Sequence, residues 1–463
     1  MNSTSAFDAA RQKLETDGAG SAAIESFVRF HHQLAEGERG LIAEDAIKPV
    51  ESLPDAEKLP LADAAGPLRQ TVMIKLNGGL GTGMGMTKAK SLIEAKDGLT
   101  FLDIIANQVT KVRERTGAQL PLILMNSFAT RGDTLAALAS HSSLRVDGLE
   151  LDFLQNRVPK LNSSDLYPVE WPADPELEWA PPGHGDLYAA LVTSGMLADL
   201  LSAGYRYAFV SNADNLGAVL DERILSWFAS EEIPFLMEVA DRTAADRKGG
   251  HLARRPQGGL LLREIAQTHE ADLESFQDIE RHRFFNTNSL WIDLVALDAA
   301  LATGEGVLDL PVIVNSKTVD PTDADSTEVI QLESAMGAAI ALFEGAQAIR
   351  VPRSRFAPVK STGDLLAVRS DAYVLTPEAH VVLAPERNGL PPVVELDPAH
   401  YKLLADFEDH FPAGPPSLLG CEHLKVKGDV LFGHGVTVTG AMTVEAEGVG
   451  KAAVSDGTAL AGK

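Results

Sequence analysis

The sequence is short of several residue types, and each shortage argues against a class of protein. Cys421 is the only cysteine among 463 residues, which excludes an intrachain disulfide framework and a zinc site built on several thiolates. Basic residues number 40 against 65 acidic ones, for a net charge of −25. Such a surface repels phosphate backbones and anionic lipid, so we expect no nucleic-acid partner and no membrane partner. An acidic protein that handles phosphates must instead gather a few cations in one cleft.

Long apolar runs are also missing. No stretch stays apolar for about 18 residues, so no membrane span is predicted. The N-terminus lacks the basic start and apolar run of a secretory signal, and we therefore expect a cytoplasmic location. The content of 45% hydrophobic and 23% charged residues is ordinary for a globular protein, which excludes wholesale disorder.

Three regions differ in their residue patterns. Residues 1–70 indicate amphipathic helices and a wrapping segment. Residues 71–385 alternate strand-like runs such as TVMIKL, PLILMN and YAFVSN with helical stretches, which predicts a largely parallel α/β sheet with helices on both faces. One of these helices is predicted in VIQLESAMGAAIALFEG. Residues 386–463 alternate small apolar residues with glycine, which favours short rungs as in a β-helix, with an exposed hairpin region as the alternative.

The strongest local signal is a glycine-rich loop in TVMIKLNGGLGTGMGMTKAKS. Its five glycines let the backbone approach a phosphate chain and present N–H donors, while Lys88 and Lys90 supply positive charge. The Walker A spacing is not met, and the dinucleotide fingerprint lacks its third glycine and its later acidic residue. A tight turn without a ligand is the alternative.

Two further motifs follow the loop. In PPGHGD, His184 lies between glycines at a predicted helix start, where an anionic group such as a sugar phosphate is favoured; a structural histidine is the alternative. In VSNADNLGA, Asp214 follows the carboxyl end of a strand, where open α/β sheets bind ligands and a carboxylate can hold Mg²⁺. The alternative for Asp214 is the N-cap of the next helix.

Two weaker clusters suit a sugar and a polyphosphate. Asn286, Thr287 and Asn288 can donate and accept hydrogen bonds to sugar hydroxyls, or form an ordinary turn. Four cations close together in an acidic chain suit a polyphosphate, with a solvated surface as the alternative; they are Arg350, Arg353, Arg355 and Lys360. No motif for a covalent nucleophile is present, which favours direct transfer between phosphates through positioning and charge stabilisation.

Taken together, these segments resemble the eukaryotic-type UTP–glucose-1-phosphate uridylyltransferases, or UDP-glucose pyrophosphorylases. The matching motifs occur in the family's order: KLNGGLGTGMG, FLQNRVPK, PPGHGDLYAAL, VSNADNLGA, MEVADRTAADRKGG, FFNTNSLW, VIQLESAMGAAI and VPRSRFAPVKSTGDLL. The resemblance implies a nucleotide-diphospho-sugar transferase core with a Rossmann-like mixed sheet. It also implies a C-terminal left-handed β-helix, through which the chain could form a homo-oligomer.

The activity implied by the resemblance is the formation of UDP-glucose and pyrophosphate from UTP and glucose 1-phosphate. The transfer is in line, and Mg²⁺ is the implied cofactor. On this resemblance Lys360 is the catalytic lysine, Lys90 contacts the triphosphate as a second catalytic cation, and Asp214 is the metal ligand.

The resemblance also implies a set of substrate-binding residues. The UTP loop begins with Leu76, Asn77, Gly78 and Gly79. Uracil is read by Gln155 and Gly183, and the sugar phosphate is contacted by His184. The ribose and magnesium segment is Asn212, Ala213 and Asp214. The glucose pocket is Asn286, Thr287 and Asn288.

One departure from the family pattern concerns the end of the glycine-rich loop. The family usually has Gly-Pro-Lys-Ser where this chain has Lys88-Ala89-Lys90-Ser91. Without the proline, the register of Lys90 is less rigid, and Lys88 could share its role.

Three other functions compete with this interpretation. A UDP-sugar or UDP-N-acetylhexosamine pyrophosphorylase typically carries Ala-Gly-Gly in place of Asn77-Gly78-Gly79. A non-catalytic nucleotide-sugar sensor would be expected to lose Lys360 or Asp214, and both are present. A nicotinamide-dependent dehydrogenase is disfavoured by the imperfect glycine pattern.

Overall fold

The computed structural model describes residues 5–304, 306–446 and 451–462 of the chain. The strands, numbered in chain order, are β1 (Lys48–Pro49), β2 (Thr71–Asn77), β3 (Glu94–Lys96), β4 (Leu99–Thr100), β5 (Leu122–Asn126), β6 (Asp152–Leu154), β7 (Val158–Pro159), β8 (Leu161–Asn162), β9 (Trp179–Ala180), β10 (Tyr207–Asn212), β11 (Phe235–Asp241), β12 (His251–Arg254), β13 (Leu260–Arg263), β14 (Phe284–Asp293), β15 (Ile313–Thr318), β16 (Glu328–Glu333), β17 (Gln347–Arg350), β18 (Tyr373–Leu375), β19 (Val381–Leu383), β20 (Val393–Leu396), β21 (Ser417–Lys427), β22 (Val430–Phe432), β23 (Thr437–Glu445), β24 (Ala452–Val454) and β25 (Ala459–Ala461).

The helices in the described ranges differ at their ends, since some have a side-chain N-cap and others have none. For example, the Thr100 side chain accepts a hydrogen bond from Asp103 N at the start of α4, and Gly117 ends that helix in the left-handed conformation. They are α1 (Ala6–Asp17), α2 (Ser21–Ala35), α3 (Ala65–Arg69), α4 (Phe101–Thr116), α5 (Arg131–Leu138), α6 (Leu187–Thr193), α7 (Met196–Ser202), α8 (Glu222–Ser230), α9 (Leu273–Gln277), α10 (Leu294–Thr303), α11 (Thr362–Arg369), α12 (Pro398–Tyr401) and α13 (Leu404–His410). None of the helices in these ranges combines the length and apolar character that a membrane span requires.

The main sheet is mixed. Strands β6, β5, β2 and β10 lie side by side and are parallel, and β14 pairs antiparallel with both β10 and β11. Strand β17 extends the far side parallel to β11, while β12 pairs with the start of β14 and carries β1 and β13. The expectation of a largely parallel sheet holds for β6, β5, β2 and β10 and for β11 and β17, which all run in one direction, but β14 runs opposite to its neighbours on both sides and makes the sheet mixed. The mixed α/β sheet implied by the family resemblance is confirmed.

The expected helix in VIQLESAMGAAIALFEG is wrong. Its first part is strand β16, which pairs antiparallel with β15 and β8. The second part is a short 3₁₀ segment, Met336–Ala341. Two features oppose a continuous helix: the β-branched start suits strand pairing, and Gly337 has a low helix propensity in the middle of the segment.

The C-terminal region consists of short parallel strands. Strands β20, β21, β23 and β25 form one parallel sheet, and β22 and β24 form a second. Their apolar side chains belong to the same buried cluster as Val359 and Leu365 of the preceding region. The carbonyl oxygen of Tyr401 accepts a hydrogen bond from Thr362 Oγ1 at 2.7 Å, and the Tyr401 hydroxyl donates to Val430 O at 2.5 Å. The C-terminal sheets therefore pack directly behind helix α11.

Candidate active site

The carboxyl ends of the four parallel strands surround one cavity of about 290 Å³. Eleven of the predicted site residues line it: Leu76, Asn77, Gly78, Gly79, Lys90, Gln155, Gly183, His184, Asn212, Ala213 and Asp214. Residues far apart in sequence meet here because parallel strands present their carboxyl ends at the same edge of a sheet.

The glycine-rich loop leaves β2 and folds back on itself. Leu80 pairs with Ala89 as an antiparallel bridge, and the backbone N–H of Lys90 donates to Gly79 O at 3.2 Å. These contacts fix the register of Lys90 without the family's proline. Lys90 lines the cavity, whereas Lys88 is exposed and does not.

Gln155 lies flat against the start of this loop. A Cβ on Gly78 would approach Gln155 Oε1 to 2.5 Å, so a side chain at position 78 would displace the amide from this place. The backbone N–H of Gln155 donates to Asn126 O at 2.8 Å. The next residue, Asn156, donates from its backbone and side-chain nitrogens to the buried carboxylate of Asp186, at 2.6 and 2.8 Å. Gln155 is thereby held between two fixed neighbours.

His184 enters the cavity from the PPGHGD segment. Gly183 has a φ of 78°, and a Cβ there would lie 2.5 Å from Ser334 O, so glycine is required. His184 Nδ1 accepts a hydrogen bond from the Met336 backbone N–H at 3.0 Å. Burial lowers the pKa of His184 to about 4, so the ring is neutral at physiological pH and carries its proton on Nε2.

Asp214 and Lys90 form an ion pair within the cavity, with Lys90 Nζ 2.7 Å from Asp214 Oδ2. Asp214 does not cap the next helix: the side chain of Asp221 accepts hydrogen bonds from Arg223 N and Ile224 N at the start of α8. Within the described ranges no group of three or more histidine, cysteine or acidic side chains could hold a metal ion. A metal at Asp214 would therefore be completed by other oxygen ligands such as water or substrate phosphate.

A buried lysine that the sequence interpretation missed lies behind Asp214. Lys75 Nζ donates to Ser211 Oγ at 2.7 Å and to Ala218 O at 2.9 Å, bracketing the segment that carries Asp214. Burial lowers the pKa of Lys75 to about 7. Its position inside the apolar strand TVMIKL is the signal that could have identified it, since a lysine buried in a central strand needs such partners.

The predicted glucose residues lie in an irregular part of β14. Asn286 Nδ2 donates to Asn288 Oδ1 at 2.8 Å, and Asn288 has a φ of 57°. The pairing of β14 with β11 shifts register at this point, between Glu238 and Val239. The Thr287 hydroxyl is buried and donates to Glu238 O at 2.8 Å, so its one proton is used inside the sheet.

Lys360 is exposed and does not line the cavity, but its segment is joined to the segment of Asp214. The backbone N–H of Val359 donates to Asp214 O at 3.1 Å, and Lys360 Nζ lies 5.6 Å from the centre of the Phe356 ring. Lys360 is also close enough to Glu264 to oppose the rise in the pKa of that buried carboxyl, which burial causes.

The arginines expected to join Lys360 at a polyphosphate are paired with carboxylates instead. Arg350 contacts Asp55 and Asp241, Arg353 contacts Asp246, and Arg355 contacts Glu238. This expectation is therefore corrected: the three guanidinium groups are neutralised by acidic side chains remote in sequence.

Three other lining residues were not predicted: Ser91, Met125 and Pro181. Each adjoins a motif that was recognised. Ser91 follows Lys90, Met125 is near the carboxyl end of β5, and Pro181 begins PPGHGD. Glu264 was also missed; its carboxyl oxygens lie 2.3 and 2.5 Å from where a Cβ on Gly250 would be, so a side chain at position 250 would displace that carboxyl group.

Comparison with known proteins agrees with this geometry. The family model described as UTP--glucose-1-phosphate uridylyltransferase matches residues 24–439. A UTP--glucose-1-phosphate uridylyltransferase from Solanum tuberosum is 40% identical over 422 residues, covering 91% of this chain and 86% of its own length. A probable one from Schizosaccharomyces pombe is 39% identical, covering 85% and 76%.

Solved structures of similar proteins cover almost the whole chain. A mutant UDP-glucose pyrophosphorylase from Leishmania major, in complex with UDP-glucose, is 47% identical with a TM-score of 0.94, covering 99% of this chain and 98% of that one. A UDP-glucose phosphorylase from Trypanosoma brucei is 45% identical with a TM-score of 0.90, covering 99% and 100%. The chain belongs to the UTP–glucose-1-phosphate uridylyltransferase family.

Proposed function

We propose that this protein makes UDP-glucose and pyrophosphate from UTP and glucose 1-phosphate. The observation that carries the proposal is the single cavity in which a glycine-rich loop, a lysine, an amide, a neutral histidine and a carboxylate meet. Relatives that share the family name and a 47% identical structure in complex with UDP-glucose support the same substrates.

The nucleotide is proposed to lie with its base against Gln155 and Gly78. A carboxamide has one acceptor and two donors, so Gln155 can pair with the N3–H and one carbonyl of uracil at once. The backbone N–H groups of the glycine-rich loop then face the phosphates, and Lys90 neutralises their charge.

Asp214 is proposed to hold Mg²⁺ together with substrate phosphate oxygens. One carboxylate at the carboxyl end of β10 fits this ion, which usually binds through one or two carboxylates plus substrate oxygens. When bound, the ion would withdraw charge from the phosphates as a Lewis acid. The present partner of Asp214, Lys90, is proposed to turn to the triphosphate.

Transfer is proposed to occur by in-line attack of the sugar phosphate oxygen on the α-phosphorus of UTP. His184, with its proton on Nε2, offers a neutral donor to the sugar phosphate. Lys360 is the proposed catalytic lysine, since its cation can stabilise charge that builds up during transfer. Asn286 and Asn288 are the proposed sugar contacts; Thr287 is not included, because its hydroxyl is bound within the sheet.

The direct test is pyrophosphate release from UTP, measured across a panel of sugar 1-phosphates with Mg²⁺ present. We expect glucose 1-phosphate to give the highest kcat/KM. If an N-acetylhexosamine 1-phosphate or another sugar phosphate is preferred by tenfold or more, the alternative UDP-sugar pyrophosphorylase assignment replaces this one. No turnover with any sugar phosphate would instead favour a nucleotide-sugar sensor.

Several finer points also remain proposals. Two parallel sheets of short strands in the same chain order support a C-terminal left-handed β-helix, which could mediate a homo-oligomer. Light scattering would give the oligomeric state. The region boundaries at residues 70 and 385 and the cytoplasmic location stay predictions from the sequence.

A further inference from the structure

The segments that carry Asp214 and Lys360 are joined backbone to backbone. Val359 N–H donates to Asp214 O at 3.1 Å, and Asn215 pairs with Pro358 as an antiparallel bridge. Gly217 has no room for a side chain, because a Cβ there would collide with the carbonyl oxygen of Ser354. The two segments are therefore in contact along their length, although about 140 residues separate them in the sequence.

We call this contact between residues 214–217 and 354–359 the joint, and the side chain of Asn215 bonds its two segments to each other. It is 2% exposed, and both ends of its amide are used. Nδ2 donates to Arg355 O at 3.1 Å, while Oδ1 accepts from Ala357 N at 3.0 Å and from Gly217 N at 3.2 Å. One planar group thus satisfies three backbone groups, two of them in the segment that leads to Lys360.

We propose that Asn215 is a positioning residue for nucleotidyl transfer, which fixes the segment of Lys360 at a set distance from Asp214. The inference rests on the function proposed above. Asn215 touches neither the cavity nor the reacting atoms. It acts through Lys360, which follows its hydrogen-bond partners Arg355 and Ala357 in the sequence. Because Lys360 is exposed and makes no ion pair within the described residues, the joint at residues 355–359 restrains where its side chain can reach.

The chemistry of the joint requires an amide. The carbonyl of Arg355 needs a donor, whereas the N–H groups of Ala357 and Gly217 need an acceptor. Aspartate would keep the acceptor but place a second oxygen against the Arg355 carbonyl. Alanine would leave all three backbone groups without their partner.

A double-mutant cycle tests the proposal. In the otherwise unchanged enzyme, Asn215→Ala is expected to lower kcat by about 10- to 100-fold with little change in the KM for UTP, because small misplacements of a catalytic group are costly. In a Lys360→Ala background the same change is expected to lower kcat less than about threefold, because the group it positions is already absent. Asn215→Asp, which is nearly isosteric, should behave as Asn215→Ala does and provides the cycle if the alanine variant does not fold.

The matched control is Gln108→Ala. Gln108 is also 2% exposed and donates from its amide to a backbone carbonyl, that of Ala379, away from the cavity. The Gln108→Ala variant should be less stable but should keep the kcat of its parent, both in the otherwise unchanged enzyme and in the Lys360→Ala background. Hydrogen exchange at the Val359 amide should speed up in Asn215→Ala and not in Gln108→Ala.

The possible results distinguish a failure of the positioning role of Asn215 from a failure of the proposed function. Effects of Asn215→Ala and Lys360→Ala that multiply, or a loss confined to the KM, would overturn the positioning role. An unsubstituted enzyme that releases no pyrophosphate would instead remove the proposed function itself.

Discussion

At the scale of single residues, the groups that line the cavity and are proposed to touch substrate differ from the groups behind it that hold them in place. Lys90, Gln155 and His184 line it, whereas Lys75 and Asn215 lie behind it. Variants of the first set should change turnover, metal dependence or base choice in characteristic ways.

Lys360→Ala is expected to lower kcat about a hundredfold while changing the KM for UTP little, since a cation used in the transition state can contribute about 3 kcal/mol. Steady-state kinetics measure both constants. Lys88→Ala is the matched control, because Lys88 is an exposed lysine outside the cavity and should change kcat less than about twofold. Near-normal kcat in Lys360→Ala would make Lys360 an ordinary surface residue.

Asp214→Asn removes the charge that a hard cation needs but keeps the size of the side chain. The variant should fold normally, turn over slowly and require a higher Mg²⁺ concentration for half-maximal rate. A metal titration of the initial rate provides the measurement. An unchanged Mg²⁺ requirement would rule out Asp214 as the metal ligand.

Gln155→Ala is expected to reduce discrimination between UTP and CTP. Cytosine lacks N3–H, so with the Gln155 amide in the orientation that pairs with uracil it would leave buried groups unpaired, at roughly 1–3 kcal/mol each, which corresponds to a preference of tenfold to a few hundredfold in the native enzyme. The ratio of kcat/KM for the two nucleotides is the measurement. If that ratio is the same in variant and native enzyme, Gln155 does not read the base.

At the scale of elements, strand β11 places one buried carboxylate between two other elements. Glu238 is fully buried and accepts from Arg355 at 2.6 and 2.8 Å and from Trp291 Nε1 at 2.9 Å. It therefore ties β14 to the segment that precedes Lys360. The charge of Arg355, 8% exposed at its side chain, has no other carboxylate within ion-pair distance in the described chain.

Glu238→Gln is expected to lower the free energy of unfolding by about 3–5 kcal/mol, because it leaves a buried guanidinium uncompensated. Urea denaturation measures this loss. Glu114→Gln provides the control: Glu114 forms an exposed pair with Lys111 on α4, and its loss should cost about 0.5 kcal/mol or less. A loss below 1 kcal/mol in Glu238→Gln would mean that water reaches Arg355 readily.

The sequence predicted that residues at the strand ends meet in one place, but it predicted the wrong partners for the arginines. One physical reason explains both results. Residues 76–79, 155 and 212–214 lie at or just after the carboxyl ends of strands, and the rule for parallel sheets brings strand ends together without knowledge of side-chain partners. The partners of Arg350 and Arg353 are Asp55, Asp241 and Asp246, all over 100 positions away. Nothing local to VPRSRFAPVK reveals them. The same limit hid the joint of Asn215, whose partners become visible only in three dimensions.

At the scale of the whole molecule, the neutral state of His184 links the site to global stability. The pKa of His184 in the folded protein, about 4, lies below the ordinary value of 6.5. The contribution of the neutral ring to the free energy of unfolding is therefore fully present above pH 6.5 and is lost as the pH falls through 4. Its upper limit is about 3 kcal/mol, and the actual value should be smaller because the ring borders the cavity.

Urea unfolding between pH 7 and pH 4 tests this linkage by comparing the native protein with His184→Asn. The native protein should lose stability more steeply on acidification, since only its unfolded state gains a proton at position 184. If the free energies of unfolding of the native protein and of His184→Asn change in parallel with pH, His184 titrates normally in the folded protein. Nitrogen chemical shifts of the ring would report the same pKa directly.

The position of the cavity along the chain has a consequence for biosynthesis. All of its lining residues lie between Leu76 and Asp214, and the strands β2, β5, β6 and β10 pair with one another without any later strand between them. These strands can therefore pair before the later strands are made, but His184 gains its contact with Met336 and Asp214 its contact with Val359 only afterwards. Lys360 emerges 360 − 214 = 146 residues later, which at about 5–20 residues per second is a delay of roughly 7–30 s. A nascent chain in that interval would have the paired strands but would lack the contacts that hold His184 and Asp214 and the lysine proposed to drive transfer.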